Sequence, residues 1–286
     1  MRRARSTASA GTRRLRPSRA AVYALLVAGA LATLCPLVLL YTGALQSTAE
    51  INRGESILPG TLRWSNFADV WTDGRFYQYV GNSVLYSAVV VPVSVLLAAM
   101  AAYGFARHRF PARLFALGVT LAMLMVPASA IFLPLYSTLL DLGLTNTRIG
   151  YVAAMTASTL PLSVFILIRF FRAIPVEVEE AAVIDGASKW RIFTRVMLPL
   201  ARPGLAASAV LNLVHVWNEF TLALVVFRDA ELMPVQQGLV QFANAERPQQ
   251  NLMLAAAALA LVPVLVVYLV AQRSIDRGIT EGATVG

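Results

Sequence analysis

Long apolar runs separated by short polar segments dominate the sequence of this 286-residue chain. Each run reaches the roughly 20 residues that a helix needs to cross a hydrocarbon core about 30 Å thick. The pattern predicts membrane-spanning helices at about residues 20–45, 82–106, 114–140, 149–168, 203–227 and 252–272. The predicted fold class is therefore an all-α integral membrane protein with six transmembrane helices, in one transmembrane domain that covers residues 20–286.

The composition agrees with this pattern. Hydrophobic residues make up 58% of the chain and charged residues only 14%, which is outside the usual range for a soluble domain. The first apolar run follows an Arg-rich segment, as the core of a secretory signal does, but it is about twice as long as the typical core of 7 to 15 residues. A cleaved signal is the less favoured interpretation, and residues 1–19 are expected to form a basic, disordered tail.

The distribution of Lys and Arg predicts the orientation of the spans. With the N-terminus in the cytoplasm, the segments 1–19, 107–113, 169–202 and 273–286 are cytoplasmic and hold 7, 3, 6 and 2 basic residues, 18 of the 24 in the chain. Basic residues concentrate on the cytoplasmic side of membrane proteins. We therefore expect both termini in the cytoplasm, together with the polar loop between the fourth and fifth spans.

The net charge of +9 follows from this topology, because the basic excess belongs to the segments expected in the cytoplasm. Nucleic-acid binding usually requires a basic face on a folded soluble domain, and the charge distribution does not indicate one. We expect no nucleic-acid partner. Attraction of the basic tail to anionic lipid headgroups is expected instead.

Residue types that commonly carry catalysis are sparse in this chain. Cys35 is the only cysteine and lies in the first span, so an intrachain disulfide or a cysteine-based metal site is excluded. His108 and His215 lie far apart in the sequence, and no phosphate-binding glycine loop or paired nucleophile and base is recognisable. The sequence predicts no enzymatic activity, no catalytic residue, no metal site and no cofactor bound by this chain.

The polar loop at residues 173–200 predicts two short helices joined by a turn. Pro175 suits the first position of a helix. Asp185-Gly186 is a common turn pair, and Ser188 can cap a second helix. Leu198-Pro199 is expected to break that helix before the fifth span. The two helices form a compact knob whose small residues permit close approach by another protein, or else a solvated loop that stays out of the membrane.

The same loop resembles the EAA loop of bacterial ABC-importer permeases. The matching residues are Glu180-Ala181-Ala182, Gly186 and Leu198-Pro199, while Val196 stands where the family usually has Ile. Further matches are Asn82-Ser83, Ala102-Tyr103, Arg107 to Pro111, Ile174-Pro175 and Trp217 to Phe220. From about residue 64 to the C-terminus, the chain is similar to the carbohydrate-uptake branch and within it to the smaller, maltose-type inner-membrane permease.

This resemblance implies a type I ABC-importer transmembrane fold with a cytoplasmic coupling-helix loop, in the plasma (inner) membrane of a bacterium. It implies three kinds of partner: a second homologous permease subunit, two ATPase subunits that use ATP, and an extracytoplasmic sugar-binding protein. The positions implied for ATPase coupling are Glu180, Ala181, Ala182, Asp185, Gly186, Leu198 and Pro199.

The function implied is that of a permease subunit of an ATP-driven importer for a sugar or oligosaccharide, forming half of the translocation path. ABC permeases for glycerol-phosphate, polyamines or other solutes share parts of the pattern and remain an alternative. A secondary transporter is less favoured, because such proteins usually carry coupling-ion residues repeated in two halves. No such repeat is apparent in this chain.

The fifth span contains polar residues that need partners. Asn212, His215 and Glu219 fall within about 60° of one another on a continuous helix, beside Asn218. A carboxylate inside a membrane costs about 2.5–3.5 kcal/mol even on moderate scales, so it faces a partner or a water-filled cavity. The stripe is expected either to line the translocation path or to bind helices or subunits together. The second alternative is favoured, because polar residues commonly form hydrogen bonds between membrane helices.

Overall fold

The computed structural model describes residues 19–54, 56–243 and 249–283, and within these ranges it contains helices and no strands. The α-helices are α1 (Arg19–Ala44), α2 (Thr48–Arg53), α3 (Ser65–Thr72), α4 (Phe76–Arg107), α5 (Arg113–Ala122), α6 (Ala128–Asp141), α7 (Arg148–Ala173), α8 (Val176–Ile184), α9 (Lys189–Ile192), α10 (Leu198–Leu200), α11 (Arg202–Asn218), α12 (Thr221–Val226), α13 (Val235–Ala243) and α14 (Gln250–Ala283). The tail expected at residues 1–19 lies, apart from Arg19, outside the described residues.

Four helices are each long and apolar enough to cross a membrane alone: Ala21–Ala44 of α1, all of α4, all of α7, and Gln250–Leu269 of α14. Two bent pairs pass the same test only when their halves are taken together. The segments around α5 and α6 meet at 111°, and the segment from α9 to α10 meets α11 at 76°. The described residues thus contain four spans by length and composition, or six when each bent pair counts as one.

The structure differs from the expected spans at 114–140 and 203–227, because both are interrupted. Val126 has an extended backbone (ψ 122°) before Pro127, the conformation that a following proline favours, so the helix ends there. In the second segment Glu219 is extended (ψ 127°), and helix begins again only at Thr221.

Two apolar clusters form the interior. The first, near the N-terminal ends of α4 and α7, contains the mutually packed rings of Tyr86, Tyr151 and Phe227. The second, which we name the coupling-end cluster, lies where α4 and α7 end. Its buried members are Ala98, Ala99, Ala102, Tyr103, Val164, Leu167, Ile168, Phe171, Ile192, Phe193, Met197 and Ala201.

Side chains of α4 hold the segment between α12 and α13 in place. Asn82 and Tyr86 donate hydrogen bonds of 2.6–3.0 Å to the carbonyls of residues 231–233. The Ser83 hydroxyl accepts a 2.8 Å bond from the backbone N–H of Val235. These side chains satisfy backbone groups that an irregular segment cannot pair by itself. The Asn82-Ser83 pair of the sequence therefore has a structural role at the start of this span.

We expect Asn82→Ala to destabilise the protein by about 1–3 kcal/mol, because it leaves two carbonyls without their buried donor. Thermal unfolding of the detergent-solubilised protein measures the effect. Gln78→Ala is the matched control, since the half-buried Gln78 donates to the same Glu231 carbonyl in a solvent-exposed bond of 3.3 Å. Equal unfolding temperatures for the two variants would contradict this role of Asn82.

Candidate coupling site

The two short helices expected in the polar loop are present as α8 and α9. Pro175 is the N-cap of α8 and stands one position before the first helical residue, Val176. Ser188 caps α9 as expected, and its hydroxyl accepts a 3.3 Å bond from the N–H of Arg191. Both helices lie at the end of the bundle where α4 and α7 end. There Arg107, the last residue of α4, contacts Ile174 and Glu179.

Gly186 ends α8 in the left-handed conformation, with φ 75°. Its N–H donates to the Val183 carbonyl and the Ala187 N–H donates to the Ala182 carbonyl, both at 3.0 Å. These are the two bonds of a Schellman motif, which commonly ends a helix at glycine. A Cβ at Gly186 would meet no atom within 4 Å. Backbone conformation, rather than lack of space within the chain, is therefore what requires glycine at this position.

The residues of the Glu-Ala-Ala sequence face different environments. Glu180 and Ala181 are exposed, whereas Ala182 is half-buried and packs with Ala187 against the coupling-end cluster. The small size of Ala182 thus allows α8 to lie close to the bundle of its own chain. Of the Glu-Ala-Ala sequence, Glu180 and Ala181 are presented outward, and Asp185, the C-cap of α8, and Gly186 are exposed beside them.

Apolar side chains are also exposed on this part of the molecule. Val183, Ile184 and Trp190 are 59%, 84% and 62% exposed. We name α8, α9 and their connecting turn the coupling knob. Apolar surface of this kind often marks a site of protein interaction, and its burial contributes about 25 cal/mol per Å².

The last residue of the knob and the π turn that follows it are anchored in the interior. Ile192, Phe193 and Met197 are buried in the coupling-end cluster. The chain then widens into a π turn, in which the Leu198 N–H donates to the Phe193 carbonyl. Pro199 has no N–H to continue a regular ladder. Leu198 and Pro199, two of the expected coupling residues, are half-buried. The helix break expected at this pair is absent, because helix continues through α10 to Leu200, and the 76° bend comes at Ala201 before α11.

Glu179 connects α8 to α4. The Tyr103 hydroxyl donates to Glu179 Oε1, and Arg107 Nε lies 3.5 Å from Glu179 Oε2. The Arg107 guanidinium also donates to the carbonyl of Ile174, which follows α7. Sequence reasoning did not select Glu179. The signal available was the four-residue spacing of Tyr103 and Arg107, which places both on one face of α4.

The continuous helix assumed for the polar stripe of the fifth span is interrupted, because α11 ends at Asn218, before Glu219. Its members lie in different surroundings: Asn212 is buried, His215 and Asn218 are exposed, and Glu219 lies in the break. The side chain of Asn218 donates to the Val214 carbonyl at 2.9 Å and accepts from Gln236 at 3.3 Å.

Asn212 joins three helices. Its amide nitrogen donates to the Ser94 hydroxyl on α4 at 2.9 Å, and the Ser163 hydroxyl on α7 donates to its carbonyl oxygen at 3.1 Å. Ser94 in turn donates to the Val91 carbonyl. This network lies within the chain and binds α11 to the two helices that form the middle of the bundle.

Glu219 stabilises the beginning of α12. Its carboxylate accepts bonds of 2.6 and 3.0 Å from the backbone N–H groups of Leu222 and Ala223, and the Tyr151 hydroxyl lies 3.5 Å away. The first N–H groups of a helix lack partners within the helix, and its N-terminus favours negative charge. The Glu219 carboxylate is therefore satisfied by the free N–H groups that the break between α11 and α12 creates.

Comparison with known proteins adds three findings. The family model described as "Binding-protein-dependent transport system inner membrane component" matches residues 94–281. The diacetylchitobiose uptake system permease protein NgcG of Streptomyces coelicolor is 37% identical over 91% of this chain and 87% of its own length. The arabinooligosaccharides transport system permease protein AraQ of Halalkalibacterium halodurans is 32% identical over 88% and 91%.

A solved structure also matches. It is a bacterial ABC transporter involved in the import of the acidic polysaccharide alginate. The match has a TM-score of 0.79 at 24% identity and covers 88% of this chain and 94% of that one. The chain thus has the type I ABC-importer transmembrane fold.

We expect Gly186→Val to strain the turn between α8 and α9 by about 1–2 kcal/mol, because a branched side chain disfavours positive φ. Gly186→Asn is the control, since Asn tolerates this conformation better. The rate of limited proteolysis within the coupling knob measures the effect, with the valine variant cut faster. Identical cleavage rates for both variants would show that the left-handed turn is not a constraint.

Asn212→Leu is expected to lower the stability of the solubilised protein by about 0.6 kcal/mol, the average for hydrogen bonds between membrane helices, and by at most about 1.7 kcal/mol. The replacement removes the contacts with Ser94 and Ser163. Thermal unfolding measures the change, with His215→Ala on the exposed side of the same helix as the control. An unfolding temperature equal to that of the control contradicts the assigned role.

Proposed function

This chain belongs to the family of binding-protein-dependent transport system inner membrane components, and we propose that it is a permease subunit of an ATP-driven ABC importer for a sugar or oligosaccharide. The observation that carries the proposal is the coupling knob, an exposed pair of helices held on a packed bundle. Relatives named for the uptake of diacetylchitobiose and arabinooligosaccharides support carbohydrate as the substrate class.

The proposed orientation places both termini and the coupling knob in the cytoplasm of a bacterium, with several spans crossing the plasma membrane. It rests on the excess of basic residues in the segments at that end of the bundle. The end that carries α2, α3 and α13 is then outside. There an extracytoplasmic binding protein delivers the substrate.

The proposed partners are a second, homologous permease chain and two ATPase subunits, which hydrolyse the ATP. Glu180 pairs with a basic residue of an ATPase subunit, and Ala181 permits its surface to come close. Val183, Ile184 and Trp190 supply apolar contact area. Because Ile192 of α9 is buried in the coupling-end cluster together with residues of α4 and α7, displacement of the knob by the ATPase acts directly on two spans. Transport requires that ATP binding favour one of the two orientations of these spans over the other.

The position of Glu219 supports this function over that of a secondary transporter. A carboxylate within a span commonly marks an ion or proton site. Here the Glu219 carboxylate accepts hydrogen bonds from two backbone N–H groups of α12. Its role as a helix cap explains why a carboxylate is present in this span. Ion coupling is not needed to explain it.

The proposal predicts that the affinity-tagged chain, expressed with the genes that neighbour its own, co-purifies with a second permease and an ATPase. Glu180→Lys is expected to reduce the recovered ATPase severalfold, because it reverses the charge that faces the partner. Glu177→Lys is the control, an exposed glutamate one turn earlier on α8. A ligand screen of the co-encoded binding protein then identifies the substrate. Reproducible absence of any ATPase from the wild-type preparation contradicts the proposed function.

A further inference from the structure

We propose that Tyr103, Arg107 and Glu179 form a tether that positions α8 and carries its displacement into α4. The tether is defined by the contacts of Glu179 with the two α4 side chains. Its role in transmission rests on the proposed function, because an ATPase must displace the knob. Its role in holding α8 does not, and it can be measured on this chain alone.

The two helices of the coupling knob are held to the bundle in different ways. Ile192 of α9, and Phe193 and Met197 of the following π turn, are buried in the coupling-end cluster. In contrast, α8 has no buried residue. Its apolar connection to the bundle is the half-buried Ala182. A specific polar contact is thus needed to define where the first half of the knob lies.

Arg107 meets this need because it links α4, to which it belongs, with two other parts of the chain. It is the last residue of α4, its guanidinium donates to the Ile174 carbonyl after α7, and it pairs with Glu179 of α8. The side chains of Arg107 and Glu179 are only 12% and 17% exposed, so solvent and salt screen the pair less than they screen a surface pair. The planar fork of arginine can serve two acceptors, which the single ammonium group of lysine does less well.

Tyr103 links the same carboxylate to the apolar interior. Its hydroxyl donates to Glu179, while its ring lies within the coupling-end cluster. The ring centroid is 5.7 Å from that of Phe171 on α7 and 5.3 Å from that of Phe193 after α9. Movement of Glu179 therefore acts on a side chain that is packed against both neighbouring elements.

The two helices of the knob therefore transmit force to the spans through different contacts. A force on α9 reaches α4 and α7 through apolar packing, and the chain itself continues into α11. A force on α8 reaches α4 through the tether. Without the tether, α8 can shift while α4 stays in place, and part of the displacement is lost before it reaches the spans.

The first experiment measures how many substrate molecules are transported per ATP hydrolysed, in proteoliposomes that contain the complete importer. Glu179→Ala is expected to lower this ratio about fivefold, at the lower end of the range for coupling between sites. Glu179→Gln, which keeps an acceptor for Tyr103, is expected to give an intermediate ratio. Glu177→Ala is the matched control, because it removes an exposed carboxylate from the same first turn of α8.

The second experiment needs no partner. In a Cys35→Ala background, a nitroxide label is attached to Val183→Cys, an exposed position on α8. We expect Glu179→Ala to increase the mobility of the label in the full-length chain, and Glu177→Ala to leave it unchanged.

The outcomes separate the two parts of the proposal. Equal label mobility in the Glu179 and Glu177 variants overturns the tether. Increased mobility with a normal transport ratio overturns its role in transmission. If the wild-type complex shows no ATP-dependent transport, the proposed function fails, while the mobility of the label still decides whether the tether exists.

Discussion

Backbone polar groups that are buried away from water must find their hydrogen bonds within the protein, and the irregular parts of this structure follow from that requirement. Long uninterrupted helices satisfy it by themselves. Where the helix stops, a side chain supplies the missing partner. Glu219 accepts from the first N–H groups of α12, Asn82 donates to two carbonyls of the next connection, and Arg107 donates to the carbonyl after α7.

The two ends of the bundle use this requirement differently. At the end that carries α13, three α4 side chains form hydrogen bonds with the segment between α12 and α13 and fix its position. At the other end, aromatic and aliphatic packing holds α9 while α8 keeps an exposed outer face. An element that must receive a partner cannot bury its contact residues in advance, so its attachment falls to the few side chains that face inward.

Residues of one motif therefore serve different purposes in this member of the binding-protein-dependent permease family. Glu180 and Ala181 are available to a partner, Ala182 allows close packing within the chain, and Gly186 supplies a backbone conformation. The preceding Glu179 faces α4. Alternation of this kind is expected of a short helix that lies on a bundle, since neighbouring residues point about 100° apart.

The sequence by itself determined the helical class, the approximate places of the apolar segments, the two helices of the knob and the cap at Ser188. These depend on local properties: the length of an apolar run, the position of a proline or glycine, and the reach of a hydroxyl to a nearby N–H. Tertiary structure alone decided that the helix breaks at Glu219, that Asn212 turns inward while His215 does not, and that Glu179 meets Tyr103 and Arg107. Such contacts join residues as far as 118 positions apart, as Asn212 and Ser94 are. A repeat of 3.6 residues along one helix cannot show which neighbouring helix will supply a partner.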